Sequence, residues 1–127
     1  MKIIPSIVVG LACLLLVSGC GTSDPPVAGG KDAETWIEMA ADADPVVRGR
    51  AIEKLGNIGA KAPAGLETII DALDDPSPAV RKIAIHAVVR VGTPCRAGFP
   101  KLQEMGEQDT DLEIRRFAAE AYSNVAQ

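Results

Sequence analysis

The chain has 127 residues, 13 of them Lys or Arg and 17 Asp or Glu, for a formal net charge of −4. That acidic balance excludes a general affinity for nucleic acid, and the length allows one small domain once a leader is set aside. Aromatic residues make up 3% while hydrophobic residues make up 47%, so small and branched aliphatic side chains must build the core. They suit helices that approach closely over a long, thin core better than a compact sandwich or barrel.

Met1-Lys2 is a short positive start, Ile3 to Val17 is uncharged and apolar, and Ser18-Gly19-Cys20 follows. This order predicts a secretory leader over residues 1–19. A membrane span needs about 20 apolar residues, whereas Pro5 breaks this stretch and Ser-Gly-Cys-Gly ends it. The residues Val17-Ser18-Gly19-Cys20 resemble the lipobox of bacterial lipoproteins. The resemblance implies cleavage before Cys20, a diacylglycerol on its thiol, an acylated amine, and an address in the bacterial cell envelope, inner or outer membrane left open. Two or three acyl chains hold a protein firmly, at roughly 0.8 kcal/mol per buried CH₂.

Cys13 leaves with the leader and Cys20 carries lipid, so Cys95 has no partner for a disulfide within the chain. It stands in the loop-like run Gly92-Thr93-Pro94-Cys95-Arg96, which predicts partial exposure. Residues 20–32 follow as lipidated cysteine and flexible linker. Gly21 to Asp32 holds two prolines and three glycines, and as a free chain of about 12 residues it reaches roughly 20 Å.

From residue 33 onward the chain repeats itself. Asp44-Pro45-Val46-Val47-Arg48 returns as Asp75-Pro76-Ser77-Pro78-Ala79-Val80-Arg81 and, more loosely, as Asp109-Thr110-Asp111-Leu112-Glu113-Ile114-Arg115. The three arginines lie 33 and then 34 residues apart, and an aspartate, Asp42, Asp75 or Asp109, stands six residues before each. Val47, Ala51, Leu55 and Ile58 align with Val80, Ala84, Val88 and Val91, then with Ile114, Ala118, Tyr122 and Val125. Steps of four, four and three place each set on one face of a helix. Gly56, Gly59 and Gly92 read as helix stops, and Gly49, Gly56 and Gly59 together as helix stops and positions of close packing. A shorter apolar helix precedes each long one, around Trp36-Ile37-Ala40, Leu66-Ile69-Ile70-Leu73 and Phe99-Leu102-Met105. The expected fold is all-α, an α-solenoid of about three helical hairpins with six helices, divided at about 33–60, 61–94 and 95–127.

The segment Arg50 to Gly59 with its Asp-Pro-x-Val-Arg lead-in resembles HEAT repeats, especially the short kind named after phycobilisome lyases. The resemblance covers about residues 33–126 and weakens in the third copy. It implies a ladder of Asp42, Asp75 and Asp109 with Arg48, Arg81 and Arg115, each arginine bonding an aspartate of its own copy and one next door. Such charge-assisted bonds set register between copies.

HEAT stacks are also expected to display one face of the second helices to partners. Here that face holds Gly49, Glu53, Gly56 and Asn57, then Lys82, His86, Val89 and Arg90, then Arg116, Glu120, Ser123 and Asn124. Its mixed sign suits a polar protein segment, with Lys82, His86, Arg90, Arg116, Glu53 and Glu120 as the candidate contacts. Catalysis is not expected, because His86 has no nucleophile or carboxylate close in sequence and Glu53 and Glu120 would lie about 10 Å away, too far for direct proton transfer. One histidine and one free cysteine without an i, i+4 ligand pair give no metal site, and no cofactor is expected. No phosphate loop is present either.

These features point to a membrane-tethered interaction module, with an accessory protein related to the lyases, or a purely structural envelope lipoprotein, as the alternatives. The last helix is expected to expose one flank, including Phe117, open to an unidentified protein or to a second copy.

Overall fold

Aspartate and proline fix where the helices begin. Asp32 caps α1 (Ala33–Met39), accepting from the Thr35 backbone at 2.9 Å and from its hydroxyl at 2.6 Å. Asp44 caps α2 (Pro45–Ile58) through the Val46 N–H at 2.9 Å, and Asp111 caps α6 (Leu112–Val125) through the Glu113 N–H at 2.8 Å. Such caps satisfy amides that have no partner inside the helix. Proline opens α2, α3 (Pro63–Asp71) and α4 (Pro78–Val91), where its missing N–H costs no hydrogen bond. α2 and α4 both end on a glycine with positive φ, Gly59 at 60° and Gly92 at 70°, a conformation that a Cβ would strain. The fifth helix, α5, spans Phe99–Gln108.

These elements are seen in a computed structural model that describes residues 27, 28 and 30–127. The leader, Cys20 and the start of the linker lie outside the described residues. The helices pair as α1–α2, α3–α4 and α5–α6, and the second members stack in the order α2, α4, α6. Short 3₁₀ turns, Gly59–Lys61, Ala72–Asp74 and Thr93–Gly98, connect α2 to α3, α3 to α4 and α4 to α5. The architecture is thus an all-α solenoid of three helical hairpins. Among the described residues no helix is long and apolar enough to cross a membrane.

One core runs through all three hairpins. Ala51, Leu55, Ala84, Val88, Ile114 and Ala118 are buried, as their rhythm predicts. Ile52, Ile85, Ala87 and Ala121 are buried as well. A second helix in a stack is covered both by its own hairpin mate and by the next repeat, so the buried stripe is wider than one amphipathic face.

Two expectations fail within these elements. The linker is not flexible up to residue 32: β1 (Val27–Ala28) pairs antiparallel with β2 (Lys31–Asp32), Val27 opposite Asp32 and Ala28 opposite Lys31. Gly30 turns between them at φ 76°, and β1 lies against α2. Lys31 Nζ sits 5.8 Å from the centroid of the buried Trp36 ring, a cation–π contact that ties the hairpin to α1. The second failure is Gly56, which is no helix stop. It lies inside α2, where a Cβ would come within 3.0 Å of Ala87 Cβ and 3.3 Å of its Cα.

Candidate functional site

Along one edge of the stack runs a line of arginines and aspartates. Arg48 donates from Nε to Asp75 Oδ2 and from Nη2 to Asp75 Oδ1, both at 2.8 Å, across the boundary between the first two repeats. Arg81 does the same to Asp109, both bonds at 2.9 Å, across the second boundary. The remaining arm of each fork turns back to its own repeat and finds backbone rather than carboxylate. Arg48 Nη1 donates to the carbonyls of Asp42 and Ala43 at 3.0 and 3.1 Å, Arg81 Nη1 to those of Asp75 and Pro76 at 2.9 and 3.3 Å.

The expected bond to the carboxylate of the same copy is therefore replaced by a bond to its carbonyl. The reason is that each aspartate side chain is already committed to its own turn. Asp42 accepts from the Asp44 N–H, Asp75 from the Ser77 N–H and Asp109 from the Asp111 N–H, at 2.8 to 2.9 Å. Each carboxylate is thereby aimed backward along the stack, ready for the arginine of the preceding repeat.

Both filled rungs are largely withdrawn from water, the side chains being 15% and 9% exposed at Arg48–Asp75 and 11% and 6% at Arg81–Asp109. The hydrogen bonds from Arg48 hold the Asp75 carboxyl below its ordinary range, outweighing burial, which acts the other way. At Asp109 burial is the largest influence and pushes upward, but the bonds from Arg81 and the Asp111 backbone together exceed it, and the carboxyl again lies low.

Among the described residues, the first aspartate and the last arginine of the line have no counterpart. Asp42 is exposed, and no arginine among the described residues pairs with its carboxylate. Arg115 sits at the other end with its Nε buried and without a hydrogen-bond partner.

Beside the ladder, α2 and α4 enclose a groove of about 270 Å³ lined by Glu53, Ile83, His86, Ala87 and Arg90. Arg90 donates to Asn57 Oδ1 across the repeat boundary. Lys82 pairs with Glu113 of the third repeat and lies 5.7 Å from the centroid of the Phe117 ring. His86 stacks on the same ring at 4.4 Å between centroids, tilted by 59°. Glu53, Glu120 and Arg116 are exposed and form no ion pair among the described residues. The structure thus brings Glu53, His86 and Arg90 to one groove, engages Lys82 with the third repeat, and leaves Arg116 and Glu120 on α6.

Three placements differ from expectation. Gly49 and Gly56 are buried between α2 and α4, against Ile83 and Ala87, and are not displayed. Phe117 faces α4 and is half-buried, so it is not an apolar flank at the open end. It occupies the position of Ile83 one repeat earlier, which packs between repeats. Cys95 is fully buried within the Thr93–Gly98 turn, and burial pushes its thiol upward, which suppresses the reactive thiolate. Asn57 and Glu113 were missing as contacts, although each lies 33 or 31 residues from its partner, close to the repeat period.

The family model for HEAT repeats matches residues 33–123, well over half of the chain. The chain belongs to the HEAT-repeat family. No curated protein and no solved structure matches it. HEAT repeats generally mediate protein–protein contacts, and the ladder described above supplies the register between the three hairpins of this stack.

Proposed function

We propose that this HEAT stack is a non-catalytic interaction module, tethered to a bacterial envelope membrane through lipid on Cys20, that receives a polar segment of a partner protein. The observation that carries this reading is the groove between α2 and α4. Its floor is apolar, from Ile83 and Ala87, and its rim carries one acid and two basic or titratable groups, Glu53, Arg90 and His86. A pocket with few polar groups around an apolar floor orients a ligand more than it transforms one. His86 lies against the Phe117 ring and shares its groove with Glu53, a lining that supports binding; direct proton transfer would need acid and base within hydrogen-bond reach of each other.

The tether rests on the order of charge, apolar run, small residues and cysteine in residues 1–20. Holding the groove near a membrane raises the local concentration of any partner on the same surface.

Two experiments test the two halves separately. For the groove, a photocrosslinking residue is placed at His86 and, as a control, at the exposed Glu67 of α3 in living cells. A crosslinked protein obtained from position 86 alone, and lost when Arg90→Glu is added, supports the reading; equal crosslinking from both positions refutes it. For the tether, the intact mass of the chain recovered from membranes should show leader loss and added acyl chains, both absent in Cys20→Ser. A mature chain with an unmodified Cys20 would end the lipoprotein assignment.

A further inference from the structure

The unfilled ends of the ladder match each other. Asp42 has the turn geometry of Asp75 and Asp109 but no arginine, and Arg115 has the position of Arg48 and Arg81 but no aspartate. We propose that a second copy of this chain docks head to tail on the first, its Asp42 entering the fork of Arg115, so that the stack continues across two molecules in the register it uses internally.

That register can be carried over position by position. Internally, Phe117 meets His86, Ala87 lies at Gly56, and Glu113 pairs with Lys82. Shifted along one repeat, these contacts set Arg50 of the second copy against Glu120, Lys54 against Ser123, and Val46 along the stem of Arg116. One new ion pair and one polar contact thus join the Arg115–Asp42 rung, and no like charges meet within these pairs. The surfaces needed are open: Asp42, Arg50, Arg116, Glu120 and Ser123 are exposed, and Val46 is 66% exposed. The β1–β2 hairpin lies against α2 without covering Asp42, Val46 or Arg50.

A cavity at the same edge completes the match. Within the stack the turn at Gly98 approaches Ile70 and Val88 of the preceding repeat. The residues equivalent to Ile70 and Val88 in the third repeat, Gln103 and Tyr122, line a cavity of about 450 Å³ together with Arg96 and Phe99. The position equivalent to Gly98 at the front of a second copy is Asp32, at the base of the β hairpin, and it arrives at the cavity that Arg96 helps to line. The hairpin is then part of the contact, not an obstacle to it.

Such a contact is heterologous, so it adds copies without closing into a symmetric pair. A shared membrane surface favours it by concentration.

Sedimentation velocity on the full chain in mild detergent, over a range of concentrations, tests it. Wild type should show a mass that climbs past the dimer as concentration rises. Arg50→Glu alone and Glu120→Arg alone each set like charges face to face and should weaken association by about tenfold or more. Mixed in equal amounts, the two variants offer complementary ends again and should recover it. Arg50 and Glu120 are exposed, so folding is not at issue for their reversals; Arg115→Ala should weaken association in the same way. A wild-type mass that stays monomeric, or association untouched by the single reversals, or a mixture that fails to recover, would each overturn the proposal.

Discussion

The two boundaries between repeats share a ladder rung and differ in almost everything else. Between α2 and α4 the chain uses glycine: Gly49 and Gly56 let Ile83 and Ala87 come so near that a Cβ would lie 2.8 Å from Ile83 Cδ1 and 3.0 Å from Ala87 Cβ. Between α4 and α6 the equivalent positions are Lys82 and Val89; Lys82 pairs with Glu113 and lies over the Phe117 ring, which His86 also meets, so long side chains make the contact. α2 packs on α4 more closely than α4 on α6. Register is therefore fixed by the arginine–aspartate rung, which is the same at both boundaries, while spacing is set locally by side-chain volume. The surface beside the ladder can vary in shape without altering how repeats align.

Making the first boundary resemble the second is the harshest way to break this contrast. Gly56→Val places the side chain of Val89 where Ala87 Cβ and Cα stand within 3.0 and 3.3 Å. Neither atom can rotate away, so the helices must separate. Overpacking of this kind costs about 3 kcal/mol, and chemical denaturation should show it as an earlier midpoint with an unchanged slope. Val89→Gly, the converse exchange at a half-open position, should cost only about 1 kcal/mol, the helix propensity lost.

The next largest effect separates filled rungs from unfilled ones. Arg81→Ala removes a two-pronged bond to Asp109 and leaves that carboxylate largely buried without its cation. A loss of about 2 kcal/mol is expected. Arg115→Ala, tested at dilution so that chains stay separate, should change stability by less than about 0.5 kcal/mol, because no hydrogen bond is lost. Equal losses at the two positions would mean that the arginines contribute by packing rather than by pairing.

The period of the three arginines and three aspartates was legible in the sequence, and the resemblance to HEAT repeats implied that they form a ladder; the period alone would also have suited solvated helix caps. The fork geometry was not legible. Which oxygen each arginine finds depends on the aspartate side chain being taken by its own turn, as with Asp75 and the Ser77 N–H, and that competition is local backbone geometry. For Gly49 and Gly56 the expectation of close packing holds, while the places of Gly56 as a stop and of both on a displayed face do not, for a similar reason. A glycine inside a helical pattern looks like a stop or a weak point until the neighbouring helix that needs the space is known. The β hairpin had a signal, Gly29-Gly30 between two short segments, but strands of two residues fall below any hydrophobic period. The buried thiol of Cys95 was hidden because the turn carrying it packs inward between hairpins.

Acid should sharpen the difference between rungs and ends. Asp75 and Asp109 have carboxyls held below their unfolded values, so their contribution is complete above about pH 4, where an unfolded aspartate ionises. It fades as pH falls through the lower, folded values. Thermal unfolding followed from neutral pH downward should lose stability below about pH 4. Asp109→Asn starts less stable and should lose less over the same range, since one of the two titrating rungs is gone. Identical pH profiles for wild type and this variant would remove Asp109 from the linkage.

The smallest expected change probes the same boundary that Gly56→Val breaks. At Gly49 a Cβ would meet Ile83 Cδ1 at 2.8 Å, closer than any contact at Gly56, yet the atom it meets is the far end of a flexible side chain. Ile83 is only partly buried, so it can turn toward the groove by one rotamer at a cost of order 1 kcal/mol. Alanine in place of glycine inside a helix returns about 1 kcal/mol. The two nearly cancel, and Gly49→Ala should leave the denaturation midpoint within about 0.5 kcal/mol of wild type. The displaced Ile83 should instead be read in the groove that it floors. If the variant is as damaged as Gly56→Val, then both glycines are held by backbone approach, and the spacing of α2 and α4 is less adjustable than side-chain volume alone implies.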